Sequence, residues 1–419
     1  MSAQNLEAPP SLYHLFDPEV LANPYPLYHR LRSERPVHWD PFLHSWVVTR
    51  YADVIRVLHH FSAKRTPTPQ QLTSKGLSSM NPIAQVMVRQ MLFLDPPDHT
   101  RLRALASAAF TPARVERLRS HIQEIVDGLL DPVVQVGHPG KMDVIADLAG
   151  PMPAIVTAEM LGVPSADHEQ LRIWSTDFAE MLGNFQHNPD RLPRVLRSVE
   201  EMSRYFCSAI RERRVRPSLD PSDGLIQAMM DAEVEGERLT EEEIVANLIV
   251  TMVGGQETTT NLIGNGVLSL LRNRSELERM RRDPSCVPTA VEELLRFESP
   301  SQHTARIAPT DVEMGGQQIR SGQAVIAVMA AANRDPDRFP DPDRLDVTRT
   351  DNRHLAFGWA AHFCFGAALA RLEGQIAFST ILRRLPNLAL QDSQSLVWRH
   401  NLGLRGLTRL NVVFGECEG

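Results

Sequence analysis

Cys364 closes a short loop, Phe357-Gly358-Trp359-Ala360-Ala361-His362-Phe363-Cys364-Phe365-Gly366, which runs into Ala367-Ala368-Leu369-Ala370-Arg371. Glycines punctuate the loop, and the run after it reads as the start of a helix. Unpaired N–H groups and the positive end of the helix dipole favour a thiolate there over a thiol. Such a thiolate is a strong, electron-donating metal ligand. A second set, Gly254-Gly255-Gln256-Glu257-Thr258-Thr259, places a double glycine, an acid and two alcohols inside an apolar segment. Gly254 and Gly255 lack side chains, so a flat group could approach the backbone closely. Thr258 can bond back to a carbonyl one turn earlier and bend the helix locally. Its alcohol can also organise a water and relay protons, with Glu257 linking that relay to solvent. The same residues also read as a glycine-softened packing face with a surface glutamate.

Two further groups carry charge at helical spacing. Glu293 and Arg296, in Glu293-Leu294-Leu295-Arg296, lie three apart on one helix face. As an exposed ion pair they would contribute only about 0–1 kcal/mol. His99 and Arg103, in Leu94-Asp95-Pro96-Pro97-Asp98-His99-Thr100-Arg101-Leu102-Arg103, lie four apart and project together, and the two prolines suit a helix start. A lone histidine here also reads as a capped or solvated side chain.

The cysteine loop resembles the haem-binding loop of the cytochrome P450 family, whose pattern is Phe-Gly-x-Gly-x-His-x-Cys-x-Gly. Every fixed position matches except Ala360, where the family has glycine. If that position needs a positive φ, alanine costs about 1–2 kcal/mol. The expectation is that the backbone adjusts locally and still presents Cys364. The other motifs follow in the family's order, from about Asn23 to about Leu410. The resemblance implies haem b (iron protoporphyrin IX) ligated by Cys364, with Phe357, Gly366, Gly254 and Gly255 close to it. It implies that His99, Arg103, Arg306 and His362 reach the haem propionates, which suit guanidinium capture. It implies that Glu257 and Thr258 serve oxygen activation. Glu293 and Arg296 would form a buried structural pair beneath the loop, with Arg344 as its third, basic member; Leu345 replaces the more usual phenylalanine.

These residues need a scaffold, and the chain has material for one. It has 419 residues, 42% hydrophobic and 23% charged, ordinary for a soluble globular protein. The longest helical pattern spans about Thr240 to about Arg272 and opens on a capping box, Thr240-Glu241-Glu242-Glu243, after Leu239 as a hydrophobic staple. Residues 114–136 and 194–215 also show apolar spacing of three and four. Strand-like pieces occur at 37–49, 312–319 and 323–328. Proline-rich stretches such as Asp335-Pro336-Asp337 mark turns rather than domain breaks. The expected fold is mainly α with a small β-sheet region, the cytochrome P450 fold, as one domain over residues 1–419, with 1–20 irregular.

The net charge of −7 argues against a nucleic-acid partner. No run approaches the roughly 20 apolar residues of a membrane span, and no signal peptide is evident. The protein is therefore expected to be cytoplasmic and monomeric, without a membrane anchor, like the soluble bacterial class. Cys207, Cys286, Cys364 and Cys417 show no paired spacing, so no disulfide framework or zinc site is indicated. Cys207 and Cys286 read as one core and one surface thiol, His354 as a buttress of the loop, and His59-His60 as a helix end. By resemblance the substrate pocket draws on residues 66–94 with Met91, on 178–185, on Val250 and Val253, on 301–305 with His303, and on 400–404 with Leu402. Met80, Met87 and Met91 could also be plain core.

The implied activity is insertion of one oxygen atom from O2 into a C–H bond or double bond of a hydrophobic small molecule: a polyketide or macrolide, a terpene or a fatty acid. Electrons would come from NAD(P)H through a separate ferredoxin reductase and ferredoxin. A peroxide-driven peroxygenase, a non-oxygenating haem-thiolate enzyme and a haem-based sensor or ligand-binding protein are the alternatives.

Overall fold

The computed structural model describes residues 10–107, 111–135, 140–183, 190–216, 224–234, 236–392 and 396–415. Six helices position the chemistry: α1 (Asp98–Ser107), α2 (Pro151–Leu161), α3 (His168–Gly183), α4 (Glu241–Arg272), α5 (Val287–Phe297) and α6 (Ala367–Arg384). The 32-residue α4 is the axis, about 48 Å long at 1.5 Å per residue. Its capping box forms in both directions. Thr240 Oγ1 accepts the Glu243 N–H at 3.2 Å, and Glu243 Oε2 accepts the Thr240 N–H at 2.9 Å. Three glutamates at its start and Arg272 at its end complement the macrodipole. Most of its length is buried, because α2, α3, α5 and α6 all pack against it. A helix apolar on nearly every side is stable only when surrounded in this way.

The β component is small. Residues 37–49 form a hairpin of β1 (Val37–Asp40) and β2 (Ser45–Val48). β2 then pairs in parallel with β4 (Ala324–Ala327), and β4 pairs antiparallel with β3 (Thr304–Ile307). The sheet order is β1-β2-β4-β3. Residues 312–319 fold as a separate short hairpin, Val312–Met314 with Gln317–Ile319. The bridge between Ser62 and Ile307 ties the segment after Tyr51–His60 to the outer strand. That tie brings the chain around residue 65 beside Arg306.

Two expectations need correction here. The helical pattern of 114–136 is broken into Pro112–Glu116 and Arg119–Gln135, and residue 136 lies outside the described residues. Residues 12–16 and 18–22 are short helices rather than irregular chain, started by Ser11 and Asp17 side chains that accept N–H groups. Cys417 also lies outside the described residues. Cys286 is buried and Cys207 half-buried.

The buried Glu293–Arg296 pair locks α5 to the chain that precedes the cysteine loop. Both side chains are 0% exposed and meet through two bonds of 2.7 Å. Arg296 also donates to the carbonyls of Asn333, Pro342 and Arg344. Glu293 accepts the Asp346 N–H, the Asn352 side chain and Arg349 Nε. The third basic member is therefore Arg349 and not Arg344. Arg344 is exposed and offers only its backbone oxygen, since the turn at 341–346 aims its side chain outward.

Candidate active site

Phe357 and Cys364 close the loop: the Cys364 N–H donates to the Phe357 carbonyl at 2.7 Å. Gly358 turns it at φ +69°. Ala360 follows at φ +56°, so the backbone has not adjusted away from the left-handed region as expected. The loop's short closing bonds, Gly358 N–H to Leu355 O and Phe363 N–H to Ala360 O, leave it no other path. Ala360→Gly is therefore expected to raise stability by about 1 kcal/mol, read as a higher urea midpoint at an unchanged m-value. An unchanged or lower midpoint would count against strain at this position.

The loop runs directly into α6, with Gly366 at its N-cap. The half-buried Cys364 thiol faces the cavity, and desolvation by the surrounding protein pushes its pKa up. The Gly366 N–H, Arg103 and Arg371 oppose that rise without overcoming it. A bound cation would favour the thiolate against that rise.

The cavity has a volume of 330 Å³. Its walls include Phe357, Gly358, His362, Cys364 and Gly366 from the loop, and Val250, Thr251, Val253, Gly254 and Thr258 from α4. Met91, His303, Leu404 and Gly403 also contribute. Leu402 does not: it is buried in the main core, and its neighbours Gly403 and Leu404 take the place expected for it. Met87 packs in the second core cluster; Met80 does not line the cavity. Phe178 is core, and 184–185 lie outside the described residues. Burial lowers the pKa of His303 to about 4, with a backbone bond to Leu402 opposing, so the ring is neutral at pH 7.

The two glycines of α4 differ. Gly254 has open space where a Cβ would stand and borders the cavity. Gly255 also borders it, but a Cβ there would come within 2.8 Å of Thr157 Oγ1 on α2, so this glycine is needed for helix packing. Thr258 Oγ1 donates to the Gly254 carbonyl at 2.7 Å, the back-bond expected from its spacing. Glu257 turns away from the cavity and is 4% exposed. It accepts Thr176 Oγ1 of α3 at 2.6 Å and Arg399 Nη1 at 2.5 Å. Arg399 is half-buried, so it stands between this carboxylate and solvent.

At the other end, His99 and His362 lie against each other with ring centres 4.3 Å apart and planes tilted by 46°. Arg103 points to the same cavity and reaches the Ala361 carbonyl at 3.5 Å. Arg306, on β3, and Arg65 join them. Burial and the adjacent Arg306 lower the pKa of Arg65 to about 9. Burial lowers Arg306 to about 10, partly offset by Asp95. Burial, then Arg306, His99 and Arg65, bring His362 down to about 3. Arg65 was not legible in the sequence: only the Ser62–Ile307 bridge and Asp95, which accepts Ser62 Oγ and the Ala63 N–H, place it there. Among the described residues the cavity thus gathers three guanidinium groups, and its one carboxyl lining residue is Glu373. A cationic cluster beside an open glycine face and a thiol fits a flat, dianionic, metal-bearing group.

Glu373 of α6 was also missed. It is 1% exposed, bonds to Thr259 and has Oε1 unpartnered. Burial raises its pKa to about 8, against the bond to Thr259. A folded-state value above the ordinary carboxyl range means that the folded protein holds a proton the unfolded chain releases. Stability from this group is full below the unfolded value and declines as pH rises toward 8, by about 1.4 kcal/mol per pH unit. Glu373→Gln should flatten that decline, as measured by denaturation between pH 5 and 8; a parallel decline in both proteins would contradict it.

Comparison with known proteins agrees with this geometry. Residues 44–397 match the cytochrome P450 family. The biotin biosynthesis cytochrome P450 of Bacillus subtilis is 40% identical over 401 residues, 94% of this chain and 97% of that protein. The cytochrome P450 monooxygenase PikC of Streptomyces venezuelae is 38% identical over 400 residues, 94% of this chain and 92% of that protein. The structure of P450BioI in complex with an acyl carrier protein ligated to hexadec-9Z-enoic acid superposes with a TM-score of 0.87 at 38% identity, covering 95% of this chain and 99% of that one. The chain belongs to the cytochrome P450 family. It is an oxidoreductase of the monooxygenase type with the P450 fold, and the family implies haem and external electron-transfer partners. No helix among the described residues is long and apolar enough to cross a membrane.

Proposed function

We propose that this chain is a haem-thiolate monooxygenase that oxidises an elongated, largely apolar substrate, with Cys364 as the residue that would ligate the haem iron. The observation that carries the reading is one cavity bordered by the Cys364 thiol, the Gly254–Thr258 groove and the three arginines Arg65, Arg103 and Arg306. When bound, the haem supplies oxygen activation: one atom of O2 is inserted into substrate and the other leaves as water. The chain's own residues do the rest. Arg65, Arg103 and Arg306, with His99 and His362, would hold the propionates by charge and hydrogen bonds. Thr258 holds a proton at the cavity wall, and Glu257, tied to Arg399, resupplies it from the outer side of α4. The apolar walls from Met91, Val250 and Val253 exclude water and orient the substrate. Electrons derive from NAD(P)H through separate proteins, a ferredoxin and its reductase.

An acyl chain is the favoured substrate class. The P450BioI structure holds a carrier-linked hexadecenoic acid, and that of CYP267B1, 38% identical with a TM-score of 0.86, holds myristic acid. A polyketide is the second reading, favoured by the relative PksS of Bacillus subtilis, a polyketide biosynthesis cytochrome P450 36% identical to this chain. Spectral titration of the haem-loaded protein with free fatty acids, acyl carrier proteins and macrolactones separates these, because a bound substrate beside the haem would shift its Soret band. Thr258→Ala tests the chemistry. It should bind substrate normally and still consume NAD(P)H, while product per NAD(P)H falls at least about tenfold and peroxide rises. A tightly coupled Thr258→Ala enzyme would overturn the relay.

A further inference from the structure

Two adjacent glutamates on α5 face different partners. Glu293 is taken up by Arg296 and Arg349, as described above. Glu292 instead meets α6 and the cysteine loop. Its Oε1 accepts Arg371 Nε at 2.7 Å and its Oε2 accepts Arg371 Nη2 at 2.8 Å, a two-pronged contact that fixes the plane of the guanidinium. His354 Nε2 lies 3.3 Å from the same Oε2. The Ala356 N–H donates to His354 Nδ1 at 3.2 Å, so in the neutral ring the proton sits on Nε2, toward Glu292. His354 is 2% exposed on its side chain, while Arg371 and Glu292 are half-buried. Burial opposes charge on Glu292, but the bonds from Arg371 and His354 prevail and hold its pKa near about 2. The pair is therefore ionised throughout the working range.

The guanidinium so fixed lies over the Phe357 ring, 4.6 Å from its centre. Phe357 is also the residue whose carbonyl receives the Cys364 N–H. Arg371 and Arg103 are the two cations whose charge acts on the Cys364 sulfur. Arg103 lines the cavity, whereas Arg371 is not among its lining residues and is held against the Phe357 ring. Neither motif resemblance nor helical spacing assigns Glu292 or Arg371 a role.

We propose that the Glu292–Arg371 pair is a positioning device that sets the electrostatic field at the Cys364 sulfur, and with it the reduction potential of the metal held there. The inference rests on the haem-thiolate reading. A one-electron reduction leaves the ligands in place and adds one negative charge to the site. Arg371 stabilises that added charge and the thiolate itself. Glu292 holds the guanidinium against the Phe357 ring and, being an anion, opposes part of its field. A purely structural clamp between α5 and α6 would hold the helices together without this effect.

The experiment is a spectroelectrochemical titration of the haem-loaded, full-length protein, with dithionite-reduced carbon monoxide spectra in parallel. Arg371→Gln is expected to lower the ferric/ferrous midpoint and to enlarge the fraction of carbon monoxide complex that has lost thiolate ligation. Glu292→Gln, of the same volume, is expected to raise the midpoint, because Arg371 then acts uncompensated. Arg371→Lys should recover most of the shift of Arg371→Gln, since the charge returns without the two-pronged contact. If these variants lose thermal stability but keep the wild-type midpoint, or if Glu292→Gln and Arg371→Gln move it in the same direction, the proposal fails. A wild-type protein without the red-shifted carbon monoxide band of thiolate ligation would instead overturn the haem-thiolate reading on which it rests.

Discussion

Cys364→Ala is expected to abolish the red-shifted carbon monoxide band and to reduce monooxygenase turnover below detection. Cys364 is the single cysteine on the cavity wall among the described residues, and no cluster of histidines, cysteines or acids that could hold a metal occurs among them. Nothing nearby can replace the sulfur: His362 and His99 lie against each other at the cationic end of the cavity. Removing the thiolate removes the electron donation that favours O–O cleavage, so the loss should be of kcat rather than of fold. The loop itself should survive, because its closing bonds are backbone to backbone and involve residues 355, 357, 358, 360 and 363 as well as 364. The measurement is the carbon monoxide difference spectrum beside circular dichroism. A folded Cys364→Ala protein that kept the red-shifted band would remove Cys364 as the ligand.

Arg296→Ala is expected to prevent stable folding. It would leave the Glu293 carboxylate buried with Arg349 as its only cationic contact, and would orphan the carbonyls of Asn333, Pro342 and Arg344. Breaking a buried pair by removing one partner costs about 3–5 kcal/mol, against a total stability of about 5–15 kcal/mol. Arg349→Ala should cost less, since Glu293 keeps both bonds to Arg296. Arg344→Ala should be within about 0.5 kcal/mol of wild type, as for an exposed side chain away from such features. Soluble yield and thermal unfolding of the three variants test the order. Equal losses for Arg344→Ala and Arg296→Ala would reinstate Arg344 as the third member.

The sequence by itself determined the parts of this protein whose information is local. The capping box at Thr240, the Thr258 back-bond and the helix after Cys364 each depend on residues within a turn or two, and all three stand where spacing put them. The loop motif, with the other motifs in their order, was enough to identify the family and its chemistry. Only the tertiary structure decided the rest, because those groups meet across long stretches of chain. Arg65 reaches Arg306 through a strand bridge, Arg349 displaces Arg344 because a turn reverses which side chain points inward, and Leu402 yields its place to Gly403 and Leu404. The strain at Ala360 belongs with them. A residue type shows what a left-handed backbone would cost, but whether the loop needs one is set by the bonds that close it over the cavity. The environment of Cys364 is decided the same way: the helix start favours the thiolate, and the surrounding protein, which no motif encodes, pushes the thiol pKa up.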